Sequence, residues 1–597
     1  MRHLTAIFAA AVTAAAAQAQ ELPDPRPILR IEPGVHTAKI NRIGVDAACK
    51  LMLTGSDDKT VRLWALPASG GTEPELLRTL RVPIGGIHNG AVHTVDLSPD
   101  GKWAAAGGFD VGYQGKGQGT TGIYIFEAAT GRLVTRLGGL GAAAGHLAFS
   151  ADGTRLAATF GVGRGVRIWD TGNWQLIAED RDYGGEDSYG AVFSRDNTLY
   201  TVSDDGRVRR YGPDGRLEAK ASTHGGRQPF SIAVQPHGFK LAIGFADTSA
   251  VEVYDARTLR PLYAAETGGA NAVNLSSVAW SADGDILYAA GAQRTGPVSF
   301  LSFWLHEGQG RRRETPIAHN TVMELLPCRN GIAAATADPA FGVVAEDGAK
   351  LTWLKSVTAD MRGKIRGNFL ISGDGSRVRF GLTEGGDWPV DFNVRTLSVS
   401  DRGGNLGGLF PRNKYGLEIH GWEDATSPTL YGQFLPLENG ETSRSYAIAP
   451  DASSFVLGSD DFLRAFSARG GLLWKIFIPG EAYGVNISRN GKLAVAAYAD
   501  GTIRWHRLSD GQELLALFVH KKDLRFVAWT PKGYYAASPG GEELIGWHIN
   551  RGFGSAPEFQ PASAFREQFN RPDIVRLVLD VLDEDGAIAE ANRRAGR

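Results

Sequence analysis

Cysteine is nearly missing from this chain: 597 residues contain only Cys49 and Cys328. Two thiols cannot make a disulfide framework, so stability has to come from buried apolar side chains. An excess of one charge is missing too. Lys+Arg number 63 against Asp+Glu 65, for a formal net charge of −2. That balance argues against nucleic acid or an anionic membrane as the main partner. After the first twenty residues no stretch stays apolar for the ~18 residues a bilayer-spanning helix needs. HExxH, CxxC and GxSxG do not occur. Their absence leaves no linear signature for zinc or for a serine nucleophile elbow.

Glycine is abundant, at 77 residues, and follows no collagen period, as a fold with many tight turns requires. The first residues read differently from the rest. Arg2 and His3 precede an apolar, small-residue stretch at 4–16, and Ala17-Gln18-Ala19 has the form of a cleavage site. Residues 1–19 are therefore expected to be a signal peptide cut after Ala19, leaving a secreted or periplasmic chain.

The stretch 36–64, HTAKINRIGVDAACKLMLTGSDDKTVRLW, is one unit of a repeat. It opens with His36, alternates with period two, turns, and resumes in Leu51-Met52-Leu53. A second turn at 55–59 leads to Val61-Arg62-Leu63-Trp64. Period two predicts half-buried β-strands. The turn that ends the first strand recurs from Asp46-Ala47-Ala48-Cys49 through Ser98-Pro99-Asp100-Gly101 to Thr530-Pro531-Lys532-Gly533. Aromatics close the units at Trp64, Phe126, Trp169, Tyr211, Tyr254, Trp304, Phe466, Trp505 and Trp547. The His, the turn Asp and the terminal Trp have the spacing of a WD repeat, one four-stranded propeller blade.

The reading is all-β: tandem WD-repeat β-propellers of about twelve blades in two rings, with a short C-terminal helical tail. Seven plus five is the best division and six plus six the alternative, because a ring holds ~4–8 blades. The first propeller is placed at 27–360, the second at 361–552 and the tail at 553–597. One degenerate unit is expected near 405–440. The lone strand at 27–31 is expected to complete a blade begun elsewhere. In a closed seven-unit ring Cys49 and Cys328 fall on neighbouring units, yet adjacent turns often exceed the ~7 Å Cα limit for a disulfide; the sequence leaves their pairing open.

His36, His88, His319 and His520 open units and are read as bridging polar atoms of their own blades. Asp57-Asp58, Asp204-Asp205 and Asp460-Asp461 recur in one slot, which favours a turn role over catalysis. His36, Asp58, Trp64, His88, Trp169, Trp304, Trp505, His520 and Trp547 are thus structural blade residues, and no catalytic, metal or cofactor residue is assigned. Gly117-Gln118-Gly119-Thr120-Thr121-Gly122 matches GxGxxG but enters a strand, so it lacks the helix N-terminus a dinucleotide needs. It ends a long loop, 107–122, in which Asp110, Tyr113 and Lys116 are candidate partner contacts.

In the C-terminal half, GETSRSYAIAPDASSFVLGSDDFLRAF, AAYADGTIRWHRLSDGQELLALF, FVAWTPKGYYAASPGGEELIGWHINRG and AFREQFNRPDIV are similar to the WD-repeat portion of bacterial proteins that join such propellers to a caspase-like peptidase. HTAKINRIGVDAACK and DYGGEDSYGAVF resemble the same family, and the likeness covers roughly 27–590. A peptidase needs a Cys nucleophile and a His base; here both Cys lie at blade turns, so the likeness implies the propeller portion alone. Two functions are carried forward. One is an exported, non-catalytic protein-interaction scaffold, since propellers present rigid rims and loops, with a caspase-like peptidase as the implied partner. The other is an enzyme or small-ligand binder with its site in a propeller's central channel.

Overall fold

The computed structural model describes residues 23–596 apart from 68–70, 87, 110–120, 295, 297, 364–366 and 402–406. The described residues form twelve sheets, every strand pair in them antiparallel, and three α-helices near the C-terminus.

Seven sheets are consecutive four-stranded meanders: 40–81, 92–137, 144–180, 188–222, 229–264, 277–318 and 322–354. The first strand of each touches the first strand of the next. Val322–Cys328 of the seventh returns to Ile40–Val45 of the first, closing the ring. Seven apolar clusters hold it, each shared by two successive blades; the last joins Ile40, Met52 and Trp64 to Ala333 and Phe341 across the seam. The central strands are not half-buried, as period two implied. Thr60–Ala65 and Leu51–Ser56 are buried on both faces, because each blade lies between two others. Only outer strands such as Leu217–Ser222 are largely solvated.

The turns explain the Ser-x-Asp-Gly repeats. Ser98 Oγ donates to Asp100 Oδ1 at 2.5 Å and accepts the N–H of Trp103 at 2.8 Å. Ser150, Ser281 and Ser372 make the same pair of bonds. Gly101 follows at φ 71, where a side chain would be strained. In blade one that position is Cys49, at φ 49. Cys49 is disulfide-bonded to Cys328, with Cα atoms 5.5 Å apart, and so clasps blade one to blade seven.

The other five sheets are less regular. Residues 370–410 form five strands, 419–434 three strands of two residues each, 443–477 four, and 482–537 six. The three-stranded sheet is the degenerate unit. In the twelfth sheet Ile28–Ile31 pairs with Ile545–Ile549, which pairs with Glu558–Pro561. The N-terminal strand, placed by sequence within the bounds of the first propeller, completes a blade begun elsewhere, as expected, and that blade lies at the far end of the chain. The unit expected at 520–547 is split. Phe526–Trp529 and Tyr535–Ala537 extend the eleventh sheet, while a 3₁₀ turn at Gly541–Leu544, entered through Gly540 at φ 73, redirects Ile545–Ile549 to the N-terminal strand.

The tail comprises α1 (Arg566–Phe569), α2 (Pro572–Val581) and α3 (Glu584–Arg594). Pro572 begins α2, where the missing N–H costs nothing, and Asp583 caps α3 by accepting the N–H of Gly586. Ile574, Val575 and Val578 of α2 fill one core with Phe392, Trp505 and Phe526. Among the described residues no helix is long and apolar enough to cross a membrane.

Candidate functional site

Blade one contains the sequence-expected His and Asp in contact. His36 Nδ1 lies 2.8 Å from Asp58 Oδ2, and Nε2 lies 2.6 Å from Thr54 Oγ1. Thr54 Oγ1 also accepts the indole N–H of Trp64 at 2.9 Å. All four residues are buried. Burial pushes the Asp58 carboxyl up, but His36, Arg62 and Thr60 outweigh it and hold it well below the usual range. Both imidazole nitrogens are engaged, so this His–Asp pair has no face left for a substrate proton; it staples the blade.

Blade four builds the same staple from other residues. The Tyr183 hydroxyl is 2.7 Å from Thr201 Oγ1 and 3.0 Å from the Tyr211 hydroxyl. A further element was missed by sequence: an Arg two residues before the closing position, each with a carboxylate partner. Arg62 meets Glu32, Arg167 meets Glu179, Arg209 meets Asp205, Arg464 meets Glu441 and Arg504 meets Glu513. The recurring V-R-x-W spacing was the available signal.

Three expected blade residues sit elsewhere. His88 does not bridge its own blade: its ring packs 5.0 Å from Phe477 of the tenth sheet, and its buried Nε2 has no hydrogen-bond partner. Trp505 is one residue out of register. Ala494 pairs with His506 as Met52 pairs with Trp64, so His506 holds the closing slot and Trp505 faces the eighth sheet, its N–H on the Gly375 carbonyl at 2.7 Å. A one-residue offset turns a side chain to the other face. Trp547 is buried against the tail, 4.3 Å from Phe569 and 5.6 Å from Phe565 between ring centroids, as much as against strands. Trp169 and Trp304 lie in the inter-blade cores, and His520 Nδ1 is 2.7 Å from Asp523 in its own unit. Asp110, Tyr113 and Lys116 lie outside the described residues.

The axis of the first ring is crossed by charge. Arg42 of blade one reaches Glu324 of blade seven at 3.3 Å and the Tyr189 carbonyl of blade four at 3.0 Å. His146 of blade three meets the same Glu324 at 3.2 Å. Nearby, burial pushes Asp96 up to about 8, with Glu324 adding to the rise against the N–H groups of Phe149 and Leu97. Arg42, Glu324 and His146 Nε2 thus meet across the channel, while the buried His146 Nδ1 has no hydrogen-bond partner.

A cleft of about 390 Å³ lies between the two halves, within the range of ligand sites. Its first wall is the seam of blades one and seven, with Lys39, Asp57, His319 and Asp338. Its second wall is Asp360, Arg362, Glu384, Glu481, Asp500 and Lys521. Asp57, Asp338, Glu384 and Asp500 come from the turns between second and third strands of four different sheets, two from each half. Arg362 forks onto Asp360 at 3.0 and 2.6 Å and lies 3.7 Å from Glu384. Asp57 holds Lys39 at 3.4 Å and accepts from Asn41 at 2.6 Å. Among the described residues no group of three or more His, Cys, Asp or Glu is arranged to hold a metal ion.

Residues 31–65 and 76–110 match the family model WD40: WD domain, G-beta repeat. The chain carries WD40 repeats. A WD repeat-containing protein of Arabidopsis thaliana, VIP3, is 29% identical over 128 residues, 21% of this chain and 34% of that protein. The chain thus spans about a third of the length of the curated relative it matches. WD40 domains generally mediate protein interactions and are typically non-catalytic. The first matched segment holds the complete His36–Asp58–Thr54–Trp64 staple.

Proposed function

We propose that this WD40-repeat chain is an exported, non-catalytic scaffold that holds a protein partner, and that the partner is a caspase-like peptidase. The observation that carries the reading is the pairing of its buried His, Asp, Arg and Glu groups with one another. His36–Asp58 is sealed inside a blade and Arg42–Glu324–His146 fills the ring axis. What stays available is the rims and the cleft, and Tyr113, in the sequence 107–122, is the proposed anchor. Export is supported by the leader at 1–19 and by a disulfide, which persists in oxidising compartments.

The test is co-purification of the mature chain with a caspase-like peptidase from the same source. A stable complex, weakened when 110–121 is replaced by a short Gly-Ser turn, is the expected result. A chain that stays monomeric beside the peptidase removes that partner, and turnover of a metabolite by the purified chain overturns the scaffold reading. Intact mass beginning at Gln20 is expected for the exported protein; retention of Met1 would reject the leader.

A further inference from the structure

The cleft between the halves has walls and charge suited to one kind of guest. Among the described residues seven carboxylates line it against four cations. Two of those cations are already held, Lys39 by Asp57 and Arg362 by Asp360. The charges are also segregated. Around Lys39 the carboxylates of Asp57, Glu481 and nearby Asp461 gather, and they hold its ammonium above the usual range. Asp461 is itself pushed up, by burial first and then by Asp460 and Glu441. That end therefore carries negative potential in excess of its resident cation.

The other end, at blade seven, is nearly balanced. Lys521 faces Asp360, Lys355, Arg362 and Asp338, and burial lowers its ammonium. Among the described residues neither Lys355 nor Lys521 has a carboxylate within the 4.0 Å of an ion pair. Their N–H groups are available to carbonyl oxygens. Tyr483 also lines the cleft.

We propose that this cleft binds a basic peptide segment of a partner protein, an Arg or Lys side chain entering the Glu481 end and main-chain carbonyls meeting Lys355 and Lys521. The assignment rests on the scaffold reading and names the chemistry of the contact. A carboxylate-rich cleft in a partly desolvated wall attracts a guanidinium or ammonium strongly and repels an acidic segment. Four turns and the crossing segment between the halves shape the pocket, so it exists only while the two halves stay docked.

Fluorescence anisotropy on the full mature chain tests it, with three labelled hexapeptides of equal length: one carrying two Arg, one carrying two Glu and one neutral. The basic peptide is expected to bind, more weakly as salt rises, and the other two to fail. Glu481→Gln should weaken it by roughly tenfold while the melting profile stays unchanged, and Asp387→Asn, at another lining carboxylate, should weaken it less. Lys532→Gln, far from the cleft, serves as the control and should leave binding as it was. Equal binding of acidic and basic peptides, or insensitivity to Glu481→Gln, overturns the proposal. So does capture of spermine alone with no peptide binding, which would make the site one for a small polyamine. If the peptidase complex forms and survives Glu481→Gln, the cleft is not its contact and the scaffold reading stands without it.

Discussion

The two halves solve one problem in different ways. From 40 to 354 every blade uses four consecutive strands, and every core lies between adjacent blades, six pairs consecutive in sequence and the seventh closing blade seven onto blade one. Beyond 360 the sheets have three to six strands, one borrows Ile28–Ile31, and the largest core mixes two sheets with α2 and α3. The first half closes by repetition plus one covalent clasp. The second is completed by segments from both chain termini. Repeat stability is a sum of near-neighbour terms, so damage in the first half should spread around the ring, whereas damage in the second should follow whichever distant segment is lost.

The largest expected effect is on the clasp. Cys328→Ser, or reduction, frees a loop closed across 279 residues and should lower the first half's stability by about 5 kcal/mol on loop entropy. Calorimetry of oxidised and reduced protein checks this; coincident profiles would mean side-chain packing alone closes the ring. Next, Trp547→Ala removes an indole buried against the tail and should cost the second half ~4 kcal/mol, and deletion of 562–597 should reproduce the loss. A first-half transition that falls equally would break the distinction between the halves.

Third, Asp58→Ala leaves His36 buried without its partner and should cost about 3 kcal/mol, read as a fall in the first-half transition. Fourth and smallest is an opposed response to acid. Burial, aided by Arg81 and Arg30, lowers His548 to about 3, and burial lowers His506 to about 4. Both groups take a proton more readily when unfolded, so the second half loses stability as pH falls from about 6.5 toward 4. Asp96, raised to about 8, holds its proton better when folded, so its contribution to the first half grows as pH falls over the same window. Melting at pH 7 and pH 5 should bring the second-half transition down relative to the first. His548→Asn should blunt that shift, and parallel transitions would count against it.

Much of the first half was legible because its signals are local. Ser98-Pro99-Asp100-Gly101 announces its own turn, and His36 and Trp64 are reached within a single unit. The register of Trp505 was not legible, since an Arg-Trp-His run fits the strand either way and only packing against the eighth sheet selects the face. His88 looked like His36 because both precede an alternating segment; the difference is Phe477, far away in sequence. The cleft was invisible for the same reason. Its carboxylates come from turns of four sheets, each reading as an ordinary turn until the halves dock. The loop holding Asp110, Tyr113 and Lys116 is untouched by these observations.

The pairing of Ile28–Ile31 with Ile545–Ile549 sets a timetable. A ribosome has finished the whole seven-bladed ring by about residue 360, while the partner of the first strand is still unmade. At 5–20 residues per second, that strand waits roughly 25 to 100 seconds for its mate. For the last ~10 to 40 seconds of that interval, at the same rate, an apolar edge stands beside a completed ring, open to mispairing. The sequence around it, with Pro25 and Pro27 before the strand and Pro33 just after, withholds N–H groups at both ends and keeps the waiting edge short.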